Sequence, residues 1–401
     1  MLAATVRVTR DIDTAEEAVQ DAYVQALRTW RRDGVPDRPG AWLTTVSRRT
    51  ALNLVRRRRT LESKLPLLVG PDDGEAPEPP GGAAGPFPDD RLRLIFTCCH
   101  PALAAEAQVA LTLRLVCGVA TPDIARAFLV AEATMAARLT RAKKKIAAAR
   151  IPYVVPSAAD LPARVDAVLT VVHLLYATGH TAPSGDDLVR TDLCERALDL
   201  AHLLRRLLPE DREVTALLAL LLVHEARRAT RTDAAGRLLR LEDQDRSAWD
   251  RDLIAEADRL VVAALRAGAP GRFALQAAIA SLHALAPTYA ATDWPQILTL
   301  YDELARVWPS PVVALNRAVA VAMVDGPEAA LAQVDGLAQD GRLAGYHYLP
   351  ATRADLLHRL GRDAEAADAY RQAIALSDNA AESAFLAGRL RSVTRHPDAS
   401  P

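Results

Sequence analysis

Ala15, Ala18, Val19, Ala22, Tyr23, Ala26, Leu27 and Trp30 recur at helical spacing, with Glu16, Glu17, Gln20 and Asp21 on the opposite side. The spacing predicts an amphipathic helix with its apolar stripe inward, and Asp11-Ile12-Asp13 with Thr14 and Glu17 supplies the capping chemistry that starts it. The segment from Asp33 to Gly40, rich in Gly, Pro and Asp, predicts a turn. A second helix follows from about Ala41, with Trp42, Leu43, Val46, Ala51, Leu52 and Val55 inward and Arg48, Arg49, Asn53 and Arg56 to Arg59 outward. Further along, Ala107 to Cys117 predicts an apolar-rich helix that Gly118 breaks, and Thr121-Pro122-Asp123 starts another. A short turn through Val130 then leads into a basic helix from Glu132 to Lys145. Two short helices with a tight turn, the second one basic, form the helix-turn-helix arrangement, whose second helix fits the DNA major groove.

The C-terminal half carries a longer period. Tyr370 follows Gly361 and Ala366 and precedes Ala373, and Trp294, Tyr301 and Pro309 occupy matching places. The 69 residues from Tyr301 to Tyr370 are close to twice the ~34-residue tetratricopeptide repeat. About two and a half repeats are expected between 290 and 380, turning at Gly326-Pro327, stacked on a helical block at 155–285. The run from Val214 to Val223 is too short to cross a bilayer and predicts a buried helix.

Composition supports an all-α fold. Only 4% of residues are aromatic, against the β-branched and aromatic bias of sheets, and 401 residues predict two or three domains. Cys98, Cys99, Cys117 and Cys194 are too few for a disulfide framework, and the start MLAATVRVTR lacks a signal-peptide core, so a cytoplasmic location with no membrane partner is expected.

Charge changes the picture. The net of −1 for the whole chain hides blocks: residues 1–30 carry 3 basic and 5 acidic groups, 31–60 carry 9 and 2, 61–90 carry 1 and 7, and 91–150 carry 10 and 3. Within 71–90, ten of twenty residues are Pro or Gly, the composition of an extended linker. Two basic helical modules thus flank an acidic tether, the electrostatic footprint of a chain that grips a phosphate backbone.

These blocks, DIDTAEEAVQDAYVQAL, WLTTVSRRTALNLVRRRR, the acidic linker and LIFTCCHPALAAEAQVALTLRLVCGVATPDIARAFLVAEATMAARLTRAKKKI, resemble a bacterial sigma factor of the extracytoplasmic-function type across residues 1–150. Residues 151–401 resemble the long extension of one subgroup, which ends in tetratricopeptide-like repeats. The resemblance implies an all-α chain: region two at 1–60, a flexible linker at 61–90, helix-turn-helix region four at 91–150, a helical extension at 151–285, repeats at 286–385 and a disordered tail at 386–401. It also implies partners, namely core RNA polymerase, through its β′ clamp and β flap, and promoter DNA. By this resemblance Asp13, Glu16, Glu17, Gln20 and Asp21 dock on the clamp; Trp42, Arg48, Arg49, Asn53, Arg56 and Arg57 melt and hold the minus-ten element. Glu132, Thr134, Arg138 and Arg141 reach bases of the minus-thirty-five element, with Lys143, Lys144 and Lys145 on phosphates.

No catalytic residue, metal site or cofactor is expected. His224-Glu225-Ala226-Arg227-Arg228 starts like the zinc-protease HExxH, but Arg stands where the second ligand is needed; Cys98-Cys99-His100 lacks the usual two-residue gap. The extension, with no catalytic constellation, is expected to contact the two basic modules and regulate them. The alternative is a helix-turn-helix regulator with a repeat sensor domain that acts without polymerase.

Overall fold

The computed structural model describes residues 1–64, 90–128, 130–157, 159–182, 185, 188–233 and 236–394. Of the linker expected at 61–90, residues 65–89 lie outside these, as does the end of the expected tail, 395–401, whereas 61–64 end one helix and Asp90 begins the next. Among the described residues the chain forms eighteen α-helices and no strand. It divides into two compact units, Met1–Val171 and Val172–Pro401.

The first unit contains α1 (Leu2–Thr9), α2 (Ile12–Asp33), α3 (Pro39–Lys64), α4 (Asp90–Cys98), α5 (Ala105–Leu111), α6 (Thr121–Ala127) and α7 (Glu132–Ala148). The boundary with the second unit falls within α8 (Leu161–His180). Asp11 caps α2, its carboxylate accepting the Thr14 N–H at 2.7 Å. The buried seam of α2 is Ile12, Ala15, Ala18, Ala22 and Ala26, facing α1 and α3. Tyr23 and Leu27, expected inward, are 51% and 65% exposed. Alanine lets the helix backbones approach closely, and the larger side chains on either side of that seam are left in solvent. On α3 the same reasoning applies: Ser47 and Ala51 are fully buried and Leu52 faces outward, with the Ser47 and Thr5 hydroxyls 3.2 Å apart.

Beyond α5 the chain widens into a π-helical turn, Thr112–Val116, and Gly118 at φ +69° reverses it toward α6. Cys98, Cys99 and Cys117 are buried, unbridged thiols, and burial pushes Cys99 up to about 12. Tyr153 joins distant parts of the unit: its hydroxyl lies 2.8 Å from the Ala3 carbonyl and 2.7 Å from that of Asp90. Tyr153→Phe is expected to destabilise this unit by about 1 kcal/mol, measured by denaturant unfolding.

The second unit continues with α9 (Thr191–Leu207), α10 (Arg212–Ala226), α11 (Arg251–Arg266) and α12 (Arg272–Leu285). Val214 to Val223 is buried on every side of α10, which packs against α9, α11 and α12. Three helix pairs follow: α13 (Trp294–Val307) with α14 (Pro311–Val324), α15 (Pro327–Asp340) with α16 (Tyr348–Arg359), and α17 (Asp363–Leu376) with α18 (Ala380–Thr394). Each packs on the next over a core that includes Val321, Leu331, Leu357 and Tyr370. The tail expected to be disordered from 386 is helical through Thr394, because Leu386 and Val393 are buried in the common core and α18 packs on α17.

The stack returns to its own beginning. Asn379, fully buried, donates to the Ala182 carbonyl at 3.0 Å and accepts the backbone N–H groups of Ala381 and Glu382, while the Ala380 N–H donates to the Gly185 carbonyl at 3.0 Å. Near the same end of the unit, a Cβ on Gly179 would lie 2.8 Å from both the Cys194 nitrogen and the Leu193 Cβ. Gly179→Ala therefore forces α8 from the start of α9, and a loss of about 2 kcal/mol is expected in denaturant unfolding.

Candidate nucleic-acid interface

In the first unit the residues singled out above fall on three helices. On α2, Asp13, Glu17, Gln20 and Asp21 are exposed and Glu16 is half-buried. Beside them Tyr23, Val24 and Leu27 leave apolar surface in solvent, so this face is acidic at one end and greasy at the other. An exposed apolar patch rimmed by charge is the signature of a protein-docking surface. Nothing in the sequence separates Tyr23 and Leu27 from core residues, since they share the helical period of the buried alanines.

On α3, Arg48, Arg49, Asn53, Arg56 and Arg57 are exposed along one face. Trp42 is half-buried, its ring 5.5 Å from that of Trp30 at 59°. On α7, Glu132, Thr134, Arg141, Lys144 and Lys145 are exposed, while Met135, Leu139, Ala142 and Ile146 form the buried stripe. Arg138 is half-buried, 3.1 Å from Glu106 and over the Phe128 ring, an arrangement that ties α7 to α5.

Lys143 departs furthest from an outward phosphate contact. Its ammonium donates to Asp13 at 2.5 Å and to Glu16 at 2.9 Å, so a basic side chain of α7 sits on the acidic face of α2. Arg114, from the π turn, approaches Glu16 at 3.9 Å. Around this contact lies a cavity of about 260 Å³ whose lining includes Glu16, Gln20, Arg114, Leu115, Leu139 and Lys143. Partial burial works against the Lys143 charge, but its bonds to Asp13 and Glu16 outweigh that and raise its pKa above the ordinary lysine value. A raised lysine pKa stabilises the contact at and below neutral pH; that contribution is lost only as pH rises through the raised value. Arg114 was not singled out from the sequence, although a lone cation within an apolar run was the available signal.

The comparisons with known proteins agree with this layout. Residues 2–60 match the family model of sigma-70 region 2, and residues 93–146 match that of sigma-70 region 4. The chain belongs to the sigma-70 family.

It is an extracytoplasmic-function type sigma factor with a helical C-terminal extension, and with that membership come transcription initiation, DNA binding and RNA polymerase as its setting. Residues 164–265 of the sigma factor match a family of unknown function, DUF6596. An uncharacterized protein of Rhizobium meliloti (strain 1021) is 45% identical over 399 residues, covering 99% of this chain and 94% of that one. No solved structure matches the chain. No helix among the described residues is long and apolar enough to cross a membrane.

Proposed function

We propose that this sigma factor docks on the β′ clamp of core RNA polymerase through the exposed face of α2, with Glu17, Gln20 and Asp21 beside Tyr23 and Leu27. In this reading Arg48, Arg49, Asn53, Arg56 and Arg57 of α3, with Trp42, hold the opened minus-ten element, and the exposed residues of α7 read the minus-thirty-five element while region four meets the β flap. The observation that carries the reading is the division of exposed charge among the three helices: acidic and apolar on α2, basic on α3 and α7.

The Lys143 contact adds a resting state. Asp13, Glu16 and Lys143 satisfy one another, so neither the clamp-facing end of α2 nor the basic end of α7 is fully available until the contact opens. Polymerase binding to α2 then releases α7 for DNA, which links core association to promoter recognition.

The extension, in this proposal, regulates output through the sigma regions in place of a separate inhibitor. Core polymerase mixed with the full-length protein is expected to give run-off transcription from the promoter upstream of the factor's own gene. High-affinity operator binding without core, and no promoter-dependent transcript with it, would overturn the sigma assignment in favour of a polymerase-independent regulator. A truncation after Val171, at the end of the first unit, is expected to keep core binding and change transcript yield; unchanged yield removes the regulatory role.

A further inference from the structure

The second unit concentrates unbalanced positive charge where α10 ends. Arg227 and Arg231 are half-buried and Arg246 is 9% exposed, yet none of the three forms an ion pair with a carboxylate among the described residues. The nearby Glu225 is already engaged: it accepts from Arg228 at 2.8 Å and from the Tyr176 hydroxyl at 3.3 Å. Arg227 contacts the His224 ring nitrogen at 3.2 Å, and its Nε is buried without a hydrogen-bond partner. Arg246 donates one terminal nitrogen to the carbonyls of His283 and Ala286, at 2.6 and 2.8 Å, and its other terminal nitrogen is also buried without a partner. Arg231 donates to the His180 carbonyl and the Thr181 hydroxyl.

Aromatic rings wall the same place. Tyr176 stacks on His180 with centroids 5.6 Å apart, and His180 and His224 are 5.2 Å apart. Trp249 lies under two guanidiniums, Arg227 at 5.6 Å and Arg246 at 4.6 Å. His180 Nε2 is a further buried atom with no partner. Burial, together with the neighbouring guanidiniums of Arg231 and Arg246, brings Arg227 down to about 10. Burial first, then the neighbouring arginines for His180, and His180 followed by Arg227 for His224, hold both rings well below the ordinary histidine value, so both are neutral at pH 7.

Charges buried without counter-ions are costly, and arginine cannot relieve the cost by losing its proton near neutrality. Arg227 and Arg246 keep orphaned donors, and Arg231 beside them is balanced among the described residues only by the more distant Glu382 carboxylate, so the group gains most from an anion that satisfies its members together. We infer that Arg227, Arg231 and Arg246, with the rings of Tyr176, His180 and His224, form a binding site for a small organic anion bearing a phosphate or carboxylate group. Guanidiniums recognise both oxyanions in bidentate fashion, and the half-buried His180 and His224 rings, backed by the buried Tyr176, border the cluster. The cluster lies within the matched family of unknown function, and no cluster of His, Cys, Asp or Glu among the described residues could hold a metal there. The site would give the extension a ligand to respond to.

The test is thermal unfolding and calorimetric titration of the full-length protein at fixed ionic strength, with inorganic phosphate, pyrophosphate or citrate replacing chloride up to about 10 mM. A saturable rise in Tm of at least ~2 °C with one probe is expected for the native chain. Response to the phosphates alone identifies a phosphorylated ligand, and response to citrate alone a polycarboxylate. Arg227→Gln with Arg231→Gln is expected to abolish the rise and, without ligand, to unfold at the same or a higher temperature, since unbalanced charge has been removed. Three results each overturn the proposal: no saturable rise with any probe, a rise that persists in the double variant, or a ligand-free variant that unfolds at a lower temperature. The last would show that the arginines hold the fold rather than a ligand.

Discussion

Glu17→Lys combined with Asp21→Lys is expected to weaken binding to core RNA polymerase by at least about tenfold, or ~1.4 kcal/mol, while leaving the protein folded. Both carboxylates are exposed, and neither takes part in the Lys143 contact, so their reversal tests docking apart from the resting state. Placing two cations on this face turns attraction to a basic partner into repulsion and slows association most at low salt. Fluorescence anisotropy of the labelled factor against core, across a salt series, measures the effect. Equal affinities for variant and native proteins would place the docking surface elsewhere.

Lys143→Glu acts on two partners at once. Beside Asp13 and Glu16 a third carboxylate repels the acidic face of α2, so the contact between α7 and α2 opens. On DNA the same change removes one phosphate contact and adds repulsion. Promoter affinity of the holoenzyme is expected to fall by about tenfold, with the slope of log K against log salt reduced by about one. Adding Glu16→Lys restores a pair of opposite charges and is expected to restore the short distance between labels on α2 and α7, read by energy transfer, without recovering DNA affinity. A label distance unmoved by the single change would show that Lys143 does not hold the resting state.

Much of this molecule was legible before its coordinates. The capped start of α2 at Asp11, the break at Gly118, the Thr121-Pro122 restart and the all-round apolar run of α10 are local signals, and local chemistry decides where helices begin and end. The charge blocks mark α3 and α7 as the basic helices of the first unit. Choosing between two apolar sets on one helix was a different matter. Ala22 and Tyr23 are adjacent and both apolar, and which one is buried depends on how closely a neighbouring helix approaches. The pairing of Lys143 with Glu16 joins positions 127 residues apart, and no periodicity reports it. In the sequence the run from His224 to Arg228 reads only as a failed zinc motif. Its importance depends on Arg246 and Trp249, brought beside it by a connection with no helical period of its own.

The bond from Asn379 to Ala182 spans 197 positions, and it changes how the extension assembles. A linear repeat array can nucleate anywhere and lose end repeats one at a time, because each unit meets only its neighbours. Here the last helix caps the first connection, so damage at one end is felt at the other and unfolding proceeds as one event. Distant closure is also slow. The sigma regions, emerging earlier from the ribosome, can fold before the chain through Asn379 exists. A newly made factor therefore spends an interval with its promoter-reading parts complete and its extension still unfinished.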